Sequence, residues 1–384
     1  MIFAKQFSLK NLVVVTIIGA VFFLSTLTAD ASSTNWDYRI KVTIDGSKVV
    51  NDLEDFPIYI NLADLPADFH TNVRSDGGDI RVTKADGKTE LAREIVFYSS
   101  STDAGELHFK NTGTLSSATD TDFYIYYGNS GAKDYSASST YGRNNVWTDY
   151  EAVYHLEGRA DSTGKGRTLS QQGKTIFATT SQKLAGKYAD FGVSGGNSLY
   201  RLNDNFGLPP NEAQSWSFWY KIHSLQEDNY DHIMFSKASE NNGGYGWYVN
   251  YYRYNATNPL LTWTRMRGSD ADGANLTESI VLATSTWYHS AQTFDGSSTI
   301  EGWRNGISKG TAYSSGSYSG FNDQGFTLGG WWVPTTKGTL KGAIDEFRLY
   351  HGKYPSGWVE TEYNNHNSPN LFYKIGSQEV RNWY

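Results

Sequence analysis

From Trp36 onward, short runs rich in Val, Ile, Tyr, Phe and Thr alternate with Asp-Gly, Gly-Gly, Gly-Asn and Ser clusters. Tyr38 to Ile44 runs into Asp45-Gly46, Ile80 to Thr83 is followed by Asp86-Gly87, and Phe123 to Tyr127 ends at Gly128-Asn129. Apolar runs closed by turn formers predict antiparallel strands. Beyond the N-terminal segment, no stretch keeps apolar residues at helical spacing over three turns, so the pattern predicts an all-β chain. Between Gly131 and Asn145 the chain is crowded with Ser, Ala, Gly and Asn, and Ala152-Val153-Tyr154-His155-Leu156 then opens a second strand series. This places a boundary near residue 147, giving one domain over 32–147 and another over 148–384, each expected to be a β-sandwich. No repeat of fixed period is present, which argues against solenoids and propellers.

The first residues break this pattern. Lys5 and Lys10 precede an apolar run from Leu12 to Leu27, and Ala29-Asp30-Ala31 follows as an A-x-A cleavage site. Together they predict a signal peptide over residues 1–31 and an exported protein, extracellular or at the cell surface. A retained membrane anchor is the alternative, although the run is short of the ~20 apolar residues a span needs. No later segment approaches that length, so no membrane span is expected after cleavage.

Composition narrows the function classes. The chain has no cysteine, which excludes disulfide scaffolds and thiolate metal sites. Aromatic residues make up 15% of it, too many to remain solvated, so disorder is not expected. A net charge of -7 lacks the basic footprint of a duplex-binding protein, and nucleic acid is not an expected partner.

Several motifs carry a family resemblance. Trp36-Asp37-Tyr38-Arg39, Leu53-Glu54-Asp55-Phe56-Pro57-Ile58, Asp76-Gly77-Gly78-Asp79-Ile80-Arg81, Glu94-Ile95-Val96 and Tyr124-Ile125-Tyr126-Tyr127-Gly128-Asn129 resemble the prokaryotic surface domain DUF2341, which has no assigned function. In the second half, His155-Leu156-Glu157, Asp161-Ser162-Thr163-Gly164, Ser215-Trp216-Ser217-Phe218-Trp219 and Trp287-Tyr288-His289 come first. Phe294-Asp295-Gly296, Asn305-Gly306 and Gly342-Ala343-Ile344-Asp345-Glu346-Phe347-Arg348 follow. Their order resembles a laminin-G or concanavalin A-like lectin/glucanase domain. The resemblance implies a jelly-roll sandwich of two antiparallel sheets in a secreted or cell-surface protein.

The resemblance also implies calcium as a structural cofactor. Asp161, near the start of the second domain, and Asp345, near its end, are the candidate ligands if the first and last strands are neighbours. Alternatively, Asp161 makes an Asx-turn and Asp345 accepts backbone N–H groups or pairs with Arg348. Asp270-Ala271-Asp272-Gly273-Ala274-Asn275 is a second oxygen-rich loop, but position 281 is Val where an EF-hand needs Glu, and a hairpin tip explains it better.

For sugar binding the candidates are Trp247, Tyr248, Tyr251, Tyr252, Trp263, Trp331 and Trp332. Along one strand Trp247, Val249 and Tyr251 fall on one face, and Tyr248, Asn250 and Tyr252 on the other. One face must be core; the other presents rings beside polar groups, which suits a pyranose. Core packing of these aromatics is the competing reading.

Catalysis has little support. The Glu-x-Asp-x-x-Glu run that glucanase relatives use is absent, and adjacent Asp345 and Glu346 face opposite sides of a regular strand. Gly192-Val193-Ser194-Gly195-Gly196 matches a nucleophile elbow only literally, and the histidines show no metal-binding spacing. The sequence therefore predicts a non-enzymatic recognition protein whose partner is a polysaccharide or glycoconjugate. An adhesive subunit contacting other surface proteins is the alternative, and a glycoside hydrolase the more distant one.

Overall fold

The computed structural model describes residues 35–209, 211–225, 230–237, 246–253, 259–266, 273–314, 325–331 and 338–382. The expected signal peptide, Trp332, Asp270 and Asp272 lie outside the described residues. The chain is all-β as expected, built from antiparallel sheets with few helices.

Alternation builds the first sandwich. In the strand Tyr38–Ile44, Ile40, Val42 and Ile44 are fully buried while the polar residues between them are not. This strand pairs with Thr121–Tyr127, which pairs with Arg81–Lys84. Facing this sheet is a three-stranded one in the order Pro57–Asn61, Ala104–Lys110, Arg93–Ser99. Ile58, Ile60, Leu107 and Phe109 meet Ile40, Val42, Val82, Phe123 and Ile125 in one core. Each such side chain contributes about 1.5–3 kcal/mol by leaving water.

The other edge of the first sheet is occupied by Tyr373–Val380, from the far end of the chain, whose residues run antiparallel to Tyr38–Ile44. The strands are therefore not divided at residue 147 alone: the last strand completes the first sandwich.

The second sandwich packs a seven-stranded sheet on an eight-stranded one. Gln214–Ile222 lies centrally in the larger sheet, between Tyr288–Phe294 and Gly342–His351. Its Trp216, Phe218 and Tyr220 enter a core shared with Phe235, Trp247, Val249, Tyr251 and Trp263 of the smaller sheet. Tyr150–Tyr154 pairs with Gly342–His351, so the first and last strands of this sandwich are neighbours.

A helix, Trp358–Asn367, links the two halves and was not foreseen from the sequence. It buries Glu362, Asn365 and His366 beside Trp358 and Val359, so its inward residues are not an apolar stripe. No described helix is long and apolar enough to cross a membrane.

Candidate functional site

The densest gathering of chemistry lies between the sandwiches. In Ala104–Lys110 the alternation that sends Leu107 and Phe109 into the first core sends Glu106, His108 and Lys110 the other way. Tyr59 and Glu94 flank His108 on the neighbouring strands. From the second sandwich come His155, just beyond Tyr150–Tyr154, and Asp345, Glu346 and Arg348 of Gly342–His351.

Asp345 and Glu346 do not face opposite sides of a regular strand. Glu346 has φ 51°, and the pairing with Gln214–Ile222 shifts register between Ser217 and Trp219. This bulge separates the core residues Ile344 and Phe347 by three positions and turns both carboxyls away from the core. Leu156, which follows His155, is also left-handed at φ 61°. A non-glycine residue in this region costs about 1–3 kcal/mol, so the surrounding packing must enforce it.

The side chains form a continuous polar network. His155 Nδ1 lies 2.6 Å from Glu346 Oε1 and 3.4 Å from Glu106 Oε1, and its Nε2 lies 3.1 Å from Glu94 Oε2. Glu94 also accepts hydrogen bonds from Trp147 Nε1 and Ser162 Oγ. His108 Nε2 lies 2.9 Å from Glu106 Oε1 and 4.0 Å from Glu346 Oε2, and its ring stacks on His155 at 4.8 Å. Arg348 donates to the second oxygen of Glu346 at 2.7 Å and lies 3.5 Å from Glu362 Oε2, which pairs through Oε1 with His289 at 3.0 Å.

Burial and crowding set the charges. Burial, reinforced by Glu346, pushes the Glu106 carboxyl well up, and the same two causes raise Asp345. Burial also opposes charge on His155, yet Glu346 and Glu94 on either side hold its pKa well above the ordinary imidazole value. Burial and the neighbouring His155 push His108 well down, so it is neutral.

Residues 184–187 cover these carboxyls. Leu184 N donates to Asp345, Gly186 N to Glu106 and Lys187 N to Glu157. A Cβ on Gly186 would collide with Glu157 and crowd Glu106, so glycine permits this approach. Beside the segment, a cleft of ≈ 310 Å³ opens to solvent, lined by Tyr59, Lys183, Leu184, Ala185, His366 and Asn367 among others.

The expected calcium pair does not fit a cation. Asp161 Oδ1 accepts from Val153 N and Thr163 N, and Oδ2 from Thr163 Oγ1 and Arg167 N, closing its own turn. Asp345 is fully buried under Leu184 N, with a carboxyl raised toward its neutral form. The two belong to separate local structures, although the strand before Asp161, Tyr150–Tyr154, pairs with the strand that carries Asp345.

The sugar candidates divide by strand face. Trp247, Tyr251 and Trp263 are at most 1% exposed and belong to the sandwich core, which removes them from any binding surface. Tyr248 and Tyr252 point the other way, onto the outer face of the seven-stranded sheet, where Trp331 packs on Tyr248 with ring centroids 5.0 Å apart. Across the strands, Tyr248 lies between Ser236 and Thr264, and Asn250 lies opposite Thr262. Asn250 Nδ2 donates to Asp231 at 2.8 Å. Asn250 Oδ1, Thr264 Oγ1 and Thr327 Oγ1 are buried without a hydrogen-bond partner among the described residues.

Sequence reasoning assigned the histidines only to strands and loops and missed the buried cluster. One local signal was present: Glu106-x-His108 puts two ligating groups on one strand face. The remaining members converge only through the fold, from positions 155 and 346.

Residues 194–359 match the family model of the concanavalin A-like lectin/glucanases superfamily. No curated protein matches the chain. Among solved structures, the botulinum neurotoxin serotype D binding domain is similar at 14% identity and TM-score 0.46, over 56% of this chain and 51% of that one. The binding domain of botulinum neurotoxin DC in complex with rat synaptotagmin II is similar at 14% identity and TM-score 0.45, over 59% of this chain and 52% of that one. The chain thus spans about half the length of these structures.

Proposed function

We propose that this chain is an exported, non-catalytic recognition protein that binds a polysaccharide or glycoconjugate on the outer face of its seven-stranded sheet. The observation that carries this reading is the row of Tyr252, Trp331 and the largely covered Tyr248, which is 8% exposed, beside half-buried Asn250, whose Oδ1 has no hydrogen-bond partner among the described residues. Rings accept the C–H face of a pyranose, and the unpaired Asn250 Oδ1 costs about 1–3 kcal/mol, which a sugar hydroxyl would relieve. The row lies inside the stretch that matches the lectin/glucanase model. A non-catalytic role is supported by the position of the gathered carboxyls: Glu94, Glu106, Asp345, Glu346 and Glu362 are at most 5% exposed, where a polysaccharide cannot reach them.

A glycan array probed with the full chain, with and without a calcium chelator, tests the reading. We expect retention of a defined subset of glycans, unchanged by chelation because Asp161 and Asp345 are committed to protein partners. Absence of binding at millimolar sugar would remove the proposal, and loss of binding on chelation would restore a calcium site at the lectin face. Export is tested by N-terminal sequencing of the secreted chain, with Ser32 expected first.

A further inference from the structure

We propose that Glu106, His108, His155 and Glu346 bind one divalent transition-metal ion of the zinc class, held between the two sandwiches. One ligand atom from each lies within 4.8 Å of all the others. A tetrahedral site with bonds of about 2.0–2.1 Å has ligand–ligand edges of about 3.3 Å. Among His155 Nδ1, Glu346 Oε1, Glu106 Oε1 and His108 Nε2 the shortest separations are 2.6, 2.9 and 3.4 Å, which straddle that value. Small side-chain rotations would equalise them.

The donor set selects the metal. Two imidazoles and two carboxylates suit zinc and its first-row neighbours, whereas calcium takes six to eight oxygens. Four protein ligands and full burial leave no open position, which marks a structural site. Two carboxylates and two neutral imidazoles also neutralise a divalent ion, so the loaded site buries no net charge from its ligands.

The surroundings already hold the ligands as a metal site requires. His155 directs Nδ1 at the site and its other nitrogen at Glu94, a carboxylate fixed in turn by Trp147 and Ser162. The second oxygen of Glu106 accepts from Gly186 N, and that of Glu346 accepts from Arg348. His108 has no such partner on Nδ1, and its ring is held instead between Tyr59, Trp147 and His155. The bulge at Glu346 turns its carboxyl toward the donors from the other sandwich.

The test uses the full chain without an added histidine tag, stripped with a chelator, supplied with Zn²⁺ alone and gel-filtered before elemental analysis. About one zinc per chain is expected, with a higher thermal midpoint than the stripped chain. Co²⁺ loaded in its place should give the strong visible bands of a four-coordinate ion. Glu106→Gln, nearly isosteric, should lower retained zinc at least about tenfold, and His223→Gln, at a pair outside the site, should leave it unchanged. If Glu106→Gln does not fold, the cobalt spectrum of the unaltered chain decides alone. Retention of less than about a tenth of an ion per folded chain, a six-coordinate cobalt spectrum, or zinc held equally by Glu106→Gln would overturn the proposal. None of these outcomes bears on glycan binding, which is read separately on the array.

Discussion

Trp247 and Tyr248 are adjacent on one strand and serve opposite faces of one sheet. Trp247 is 1% exposed inside the sandwich core, so Trp247→Ala is expected to lower stability by about 3–5 kcal/mol, measured by urea unfolding. Tyr248→Ala should cost less stability and instead weaken glycan binding about tenfold, by removing a ring from the outer face. The alternation of these residues was legible in the sequence. Which face was core was not, because both faces carry aromatics and the choice depends on what packs against the sheet. A second residue-scale prediction concerns Asp295, which accepts N–H groups from Ser297, Ser298 and Thr299. Although partial burial opposes its charge, these bonds lower its carboxyl to about 2. A depressed folded pKa contributes stability that is complete above the unfolded value of about 3.9 and disappears as pH falls through about 2. The stability gap between the unaltered chain and Asp295→Ala should therefore be constant near neutral pH and narrow across that window.

At the scale of elements, the helix Trp358–Asn367 attaches to the first sandwich by imitating a strand edge. Asn365 Oδ1 accepts from Tyr59 N at 2.8 Å, and its Nδ2 donates to Tyr59 O at 2.9 Å. Asn365→Ala would leave both buried backbone groups unpaired, and a loss of about 2–4 kcal/mol in unfolding free energy is expected. Gly357, at φ 85°, caps the start of the helix, and a Cβ there would overlap the carbonyl of Val50. The apolar pattern concealed this helix because its inward residues include Glu362, Asn365 and His366, whose partners come from distant strands. The bulge at Glu346 was hidden for a related reason. Its sequence reads as an ordinary strand, and only the pairing with Gln214–Ile222 exposes the extra residue.

At the scale of the whole molecule, the chain is bound together by its last residues and by the polar cluster. Tyr373–Val380 supplies an edge of the first sheet, and Tyr354, Trp358 and Phe372 belong to the first core. Deleting residues 373–384 should expose the backbone edge of Tyr38–Ile44 and lower the thermal midpoint of the first sandwich, seen by calorimetry as an earlier transition. The all-β class and the two strand series were readable from local patterning, whereas the return of the chain to its first strand was not, since nothing local encodes a partner more than 300 residues away. The same holds for the Glu–His cluster, gathered from strands that neighbour one another only after both sandwiches have formed. If the outer sheet face recognises sugar, titration calorimetry of Tyr248→Ala/Trp331→Ala against a glycan retained on the array should show affinity at least about tenfold weaker with the fold preserved; affinity equal to that of the unaltered chain would place the sugar site elsewhere.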